Sequence, residues 1–164
     1  MELLSIVWSP SPEIFTLGNF AIRWYGLFFA ISFFFGYLIM QRFFKKEGVP
    51  LTMLDEMTTY MIVGTIVGDR LGHVFFYEPE WYLAHPVKIF KVWEGGLASH
   101  GAAIGIILAM LIFGWVRKRN FLWIMDRIVI TVALAGFMIR MGNLMNSEIY
   151  GLPTTLPWGF RFIR

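Results

Sequence analysis

The sequence contains no cysteine. That removes disulfides, thiolate–metal sites and any thiol nucleophile belonging to the chain itself, and it is compatible with either side of a membrane. Charge is also scarce. Lys and Arg number 14 and Asp and Glu 11 among 164 residues, 15% in all, against roughly 25% in soluble domains. The net charge of +3 is too small and too scattered for a groove that tracks nucleic-acid phosphates, so nucleic acid is excluded as a partner. Internal repeats and low-complexity stretches are lacking. A basic leader region is lacking too. Glu2 stands where it would begin, and Pro10 and Pro12 interrupt the start, so the first spanning helix is expected to act as its own insertion signal.

Apolar surface is what the chain has in excess. Hydrophobic residues make up 57% and aromatics 18%. A water-soluble domain of this length has too much of its volume near the surface to hide that area. The fold class expected is all-α: a polytopic membrane helical bundle, with residues 1–164 forming a single membrane domain. A spanning helix needs about 20 mostly apolar residues. Four such runs are expected to span: about 20–44, 55–77, 97–116 and 121–145.

Arg42, Lys45 and Lys46 follow the first run, and Arg117, Lys118 and Arg119 follow the third. The second connection, Glu78 to Gly96, has only Lys88 and Lys91 beside Glu78, Glu80 and Glu94. Excess Lys and Arg mark cytoplasmic connections. The N-terminus, the second connection and the end of the chain are therefore expected to face outward. Trp81, Tyr82, Phe90 and Trp93 suit the outer headgroup region.

Gly64, Gly68 and Gly72 recur every four residues, and Gly101 and Gly105 repeat the device. Small residues at this spacing let helix backbones approach closely. Ionisable residues inside a span are costly, and each is a candidate for function. Asp69, Arg70 and His73 share one side of the second helix, as a structural pairing network or as part of a site. His100 stands near the outward start of the third run, and histidine exchanges protons near neutrality; a hydrogen-bonded interfacial histidine fits the same position. His85, before Pro86, reads as ordinary surface, and Asp126 and Arg127 as anchors at the inner end.

The densest polar cluster ends the fourth run, from Arg140 to Gly151. On a continuing helix Arg140, Asn143 and Ser147 fall on one face, with Glu148 about a quarter-turn away. A guanidinium is a planar fork that matches phosphate oxygens. At that depth the abundant anion is a phospholipid headgroup. Together these residues suggest a lipid-phosphate site at the outer leaflet.

Four segments carry a family resemblance: Arg23-Trp24-Tyr25-Gly26-Leu27; Gly68-Asp69-Arg70-Leu71-Gly72; Trp93-Glu94-Gly95-Gly96 with Ser99-His100-Gly101; and Arg140-x-Gly142-Asn143-x-x-Asn146-x-Glu148-x-x-Gly151. In their order and spacing the chain resembles the prolipoprotein diacylglyceryl transferases, over almost its whole length and about the first three-fifths of theirs. Ala102 stands where many members have a second glycine. The resemblance implies a bacterial inner-membrane enzyme that moves the diacylglyceryl group of phosphatidylglycerol to the lipobox cysteine of a prolipoprotein signal peptide, forming a thioether and releasing glycerol phosphate. It implies His100 as base with Glu148 as competitor, and Arg140 on the phosphate. Asn143, Asn146, Gly151, Tyr25, Arg70 and Gly101 would bind substrate. No cofactor or metal is expected, and metal-ligand spacing is absent. The non-enzymatic rival is a truncated, inactive phospholipid-binding membrane protein with the same anion pocket.

Overall fold

A computed structural model describes residues 6–18, 20–92, 95, 96 and 98–163. The elements run β1 (Ile6–Trp8), β2 (Glu13–Leu17), β3 (Phe20–Arg23), α1 (Trp24–Lys46), α2 (Leu51–Phe76), α3 (Pro79–Ala84), a 3-10 turn at Pro86–Phe90, α4 (Ser99–Val116), α5 (Phe121–Met145) and β4 (Phe160–Phe162). The chain is mostly helical, as a membrane bundle requires, because a helix satisfies its backbone groups within one segment.

Among the described residues, three helices are long and apolar enough to cross a membrane: α1, α4 and α5. By length and composition the expected count of four is therefore corrected to three. The helix outside this set is α2. It is 26 residues long, but Asp55, Glu56, Asp69, Arg70 and His73 interrupt its apolar run. The first helix also begins later than the apolar run does. Phe20–Arg23 pairs antiparallel with Glu13–Leu17, and Arg23 lies 3.7 Å from Glu13 across that ladder. A run as short as Phe20–Ile22 satisfies a strand as readily as a helix.

The chain divides into two compact units. One comprises Met1–Ile39 with Val129–Arg164, the other Met40–Ile128. In the second, central unit, α2 packs along α4. The seam is glycine against glycine. A methyl placed on Gly72 would fall 2.6 Å from the Cα of Gly101, and one on Gly68 would fall 2.8 Å from the Cα of Gly105. The largest fully buried side chains, Phe44, Phe113, Leu54, Met57, Met110, Ile124 and Val74, all belong to this unit. Away from the core the helices display Val63, Ile66, Phe75 and Ile112, as helices do when lipid is their solvent.

The basic end of the central unit is tied by ion pairs. Arg127 lies on Glu47 (Nη2–Oε2 2.5 Å) and over the ring of Trp123 at 3.8 Å. Arg117 pairs with Glu56. Asn120 accepts the Leu122 N–H at 2.8 Å and caps the start of α5.

In the terminal unit β1 pairs parallel with β4. Trp8 donates from Nε1 to the Leu144 carbonyl at 2.8 Å. This satisfies one of the carbonyls that a helix end leaves open. Gly142 meets Tyr25: a methyl there would lie 2.7 Å from the tyrosine ring.

Candidate functional site

The residues singled out in the sequence fall into two groups, one in each unit. Asp69, Arg70, His73, His100 and Gly101 belong to the central unit. Tyr25, Arg140, Asn143, Asn146, Glu148 and Gly151 belong to the terminal unit.

In the central unit α2 delivers its polar residues to the end where α4 begins. Arg70 is 3% exposed. Its Nε donates to the Ile89 carbonyl at 2.8 Å and Nη2 to that of Lys88 at 2.5 Å. Nη1 donates to Gly95 at 2.5 Å and Gly96 at 3.1 Å. Four of the five guanidinium N–H groups are thereby satisfied by carbonyls. The plane also lies 4.8 Å from the ring centre of Tyr82. A side chain held in this way has little capacity left for the phosphate expected of it.

Gly95 and Gly96 have φ of +92° and +75°, left-handed conformations that glycine adopts without steric cost. A methyl on Gly96 would fall 2.8 Å from both Arg70 Nη1 and the His73 ring. His73 stacks on Tyr77 at 5.4 Å and meets Tyr82 edge-on at 5.9 Å. The backbone N–H of Ala98 donates to the Asp69 carbonyl at 3.1 Å, and α4 starts from there. His100 stands in its first turn, exposed, against Phe76 at 5.1 Å and Tyr77 at 5.8 Å. Gly101, expected to bind substrate, packs in the helix seam. It is buried against Gly68 and Gly72, where it admits the neighbouring helix backbone. Trp93 and Glu94 of the expected histidine–glycine segment lie outside the described residues.

An apolar groove of about 530 Å³ follows the same seam, walled by Val63, Val67, Leu71 and Phe75 on α2 and Ile104 and Leu108 on α4.

In the terminal unit the end of α5 folds back on itself. Asn143, 5% exposed, and Asn146 each donate from Nδ2 to Glu148 Oε1 at 3.1 Å. The Glu148 N–H donates to the Asn143 carbonyl at 3.0 Å. Ser147 and Ile149 take φ of 55° and 51°, a strained region for a β-branched residue. The buried Asn146 Oδ1 and Ser147 Oγ make no hydrogen bond. Asn146 also lines an open cavity of about 490 Å³ with Arg23, Tyr25 and Gly26. Arg140 is exposed. Gly151 lies in an irregular segment with open space around it.

Among the described residues no group of three or more His, Asp and Glu side chains is placed to hold a metal ion. Sequence reasoning missed the Gly95–Gly96 turn as the acceptor of Arg70. The paired glycines were its one signal. It also missed the strained Ser147 and Ile149, for which the sequence carries no signal.

Residues 12–164 match the family described as Prolipoprotein diacylglyceryl transferase. The phosphatidylglycerol–prolipoprotein diacylglyceryl transferase of Tolumonas auensis is 50% identical over 160 residues, covering 97% of this chain and 62% of that protein. Its namesake in Chloroherpeton thalassium is 49% identical, covering 97% and 60%. That in Porphyromonas gingivalis is 50% identical over 161 residues, covering 97% and 57%. The chain thus spans about three-fifths of the length of the curated relatives it matches. At such identity over nearly all of its residues, the chain belongs to the prolipoprotein diacylglyceryl transferase family.

Proposed function

We propose that the chain takes part in transfer of the diacylglyceryl group of phosphatidylglycerol to the lipobox cysteine of a prolipoprotein, at the outward face of the bacterial inner membrane. The observation that carries this reading is the family match over residues 12–164. Lys45 and Lys46 at the end of α1 and Arg117 after α4 support a cytoplasmic side for both ends, which in this reading requires the 26-residue α2 to cross as well and puts the start of α4 on the outer side.

In the reaction the cysteine sulfur attacks the glyceryl carbon bonded to the phosphate oxygen. The C–S bond forms, the C–O bond breaks and glycerol phosphate leaves, taking up the thiol proton. A thiol with a pKa near 8.5 needs a base or a stabilised thiolate at neutral pH. His100, exposed at the first turn of α4, is the base in this reading. Glu148 competes for that role, and its Oε1 already accepts from Asn143 and Asn146. Arg140 holds the phosphate and stabilises charge on the departing ester, a role worth several kcal/mol in a dry site. Tyr25 and Asn146, which border one cavity, orient headgroup oxygens, with Asn143 fixing the carboxylate between them.

The experiment is a single assay of the purified chain with phosphatidylglycerol and a lipobox peptide. Release of glycerol phosphate supports the reading. Lipid binding without release leaves a phospholipid-binding protein and refutes it.

A further inference from the structure

We propose that Arg70 is a positioning residue for His100: its buried guanidinium clamps the outer loop from Lys88 to Gly96 and so fixes the turn from which α4 begins. The proposal rests on the reading of His100 as the base.

Lys88 and Ile89, inside the 3-10 turn, and Gly95 and Gly96, beyond it, turn their carbonyls onto one side chain, at 2.5, 2.8, 2.5 and 3.1 Å. Three different guanidinium nitrogens donate, so the fork reads both ends of the loop at once. A lysine ammonium is a point donor without that planar fork. The two carbonyls at the far end converge on Nη1 because Gly95 and Gly96 are consecutive left-handed residues. Tyr82 covers one face of the guanidinium.

From Gly96 the path to His100 is four residues and one hydrogen bond. Ala98 is anchored on the Asp69 carbonyl, next to Arg70 in the sequence, and its own carbonyl accepts from Gly101 at 2.8 Å and Ala102 at 3.1 Å to open α4. A second route returns to the same place through rings. Gly96 abuts His73, His73 stacks on Tyr77, and Tyr77 packs against His100. The cation therefore sets the position of the histidine without touching it or the lipid.

The test compares the wild-type chain with Arg70→Lys and Gly96→Ala, purified in nanodiscs. Gly96→Ala leaves the guanidinium intact but drives a methyl against Arg70 and His73. The first readout is trypsin cleavage after Lys88 and Lys91, which lie in the clamped loop. Both variants should be cut at least about tenfold faster than wild type with helical circular dichroism retained, since local opening governs such cleavage. The second readout is turnover. Arg70→Lys should lower kcat about tenfold or more and leave KM for phosphatidylglycerol within about twofold. A loss carried by KM would put Arg70 on the phosphate and overturn the proposal, as would unchanged trypsin cleavage in both variants. If Arg70→Lys loses its helical signal, Gly96→Ala decides. A wild-type chain that does not turn over would sink the enzymatic reading of His100, while the trypsin comparison would still decide the clamp.

Discussion

Gly101→Ala tests the seam and the site together. A methyl at Gly101 would lie 2.7 Å from the Cα and 3.0 Å from the N of Gly72, and closer still to the Gly68 carbonyl. Carbon atoms pack best at about 3.5–4.0 Å, so the methyl lacks about 0.8 Å. The opposing atoms are backbone, and no side chain can swing aside. Overpacking of this kind costs about 1–3 kcal/mol. The better helix propensity of alanine offsets about 1 kcal/mol of that. The expected net loss is up to about 2 kcal/mol, or up to about 8 °C in melting temperature for a chain of this size. His100 precedes the substituted residue and moves with it. A misplacement of about 1 Å at a reacting group can cost about 100-fold in rate. The control is Gly136→Ala in α5, where a methyl meets nothing within 4 Å; its stability should hold or rise by about 1 kcal/mol. Melting followed by circular dichroism, with glycerol phosphate release measured beside it, checks both numbers. A Gly101→Ala chain as stable and as active as wild type would refute the backbone-to-backbone seam and the dependence of His100 on it.

Asn143→Ala should cost about 1–3 kcal/mol, because it deletes a buried donor to Glu148; thermal melting checks it. Glu56→Gln should change stability by less than about 1 kcal/mol, since the pair with Arg117 is largely exposed, and a larger drop in melting would show a hidden role. His100→Gln should lower glycerol phosphate release about 100-fold or more, as loss of a general base does; release at the wild-type rate would give the role to Glu148.

The apolar runs made the helical membrane class legible, because about 20 residues of low polarity have few other uses. The glycine spacing made the α2–α4 approach legible for the same reason: Gly64, Gly68, Gly72, Gly101 and Gly105 all meet backbone. The start of α1 was not, since Phe20–Ile22 is as apolar as the helix that follows and only pairing with Thr16 and Leu17 makes it a strand. Span-by-span reading also counted four where length and composition give three among the described residues. The apolar stretch of α2 reads as a span until its charges are weighed along its full length. At the candidate site, motif spacing singled out Arg70 but could not say what it touches. Its acceptors are backbone carbonyls 18 to 26 residues away, and carbonyls leave no mark in a sequence. The carboxylate of Glu148 is a similar case. Its two amide donors are visible as Asn143 and Asn146, whereas the strained backbone at Ser147 and Ile149 that turns it toward them is not.

The most direct test of the account is the mass of a lipobox peptide incubated with the chain and phosphatidylglycerol. The account predicts a gain of one diacylglyceryl group on the cysteine sulfur, abolished by Arg140→Ala. A peptide of unchanged mass, or one lipidated equally well by the Arg140→Ala chain, would contradict it.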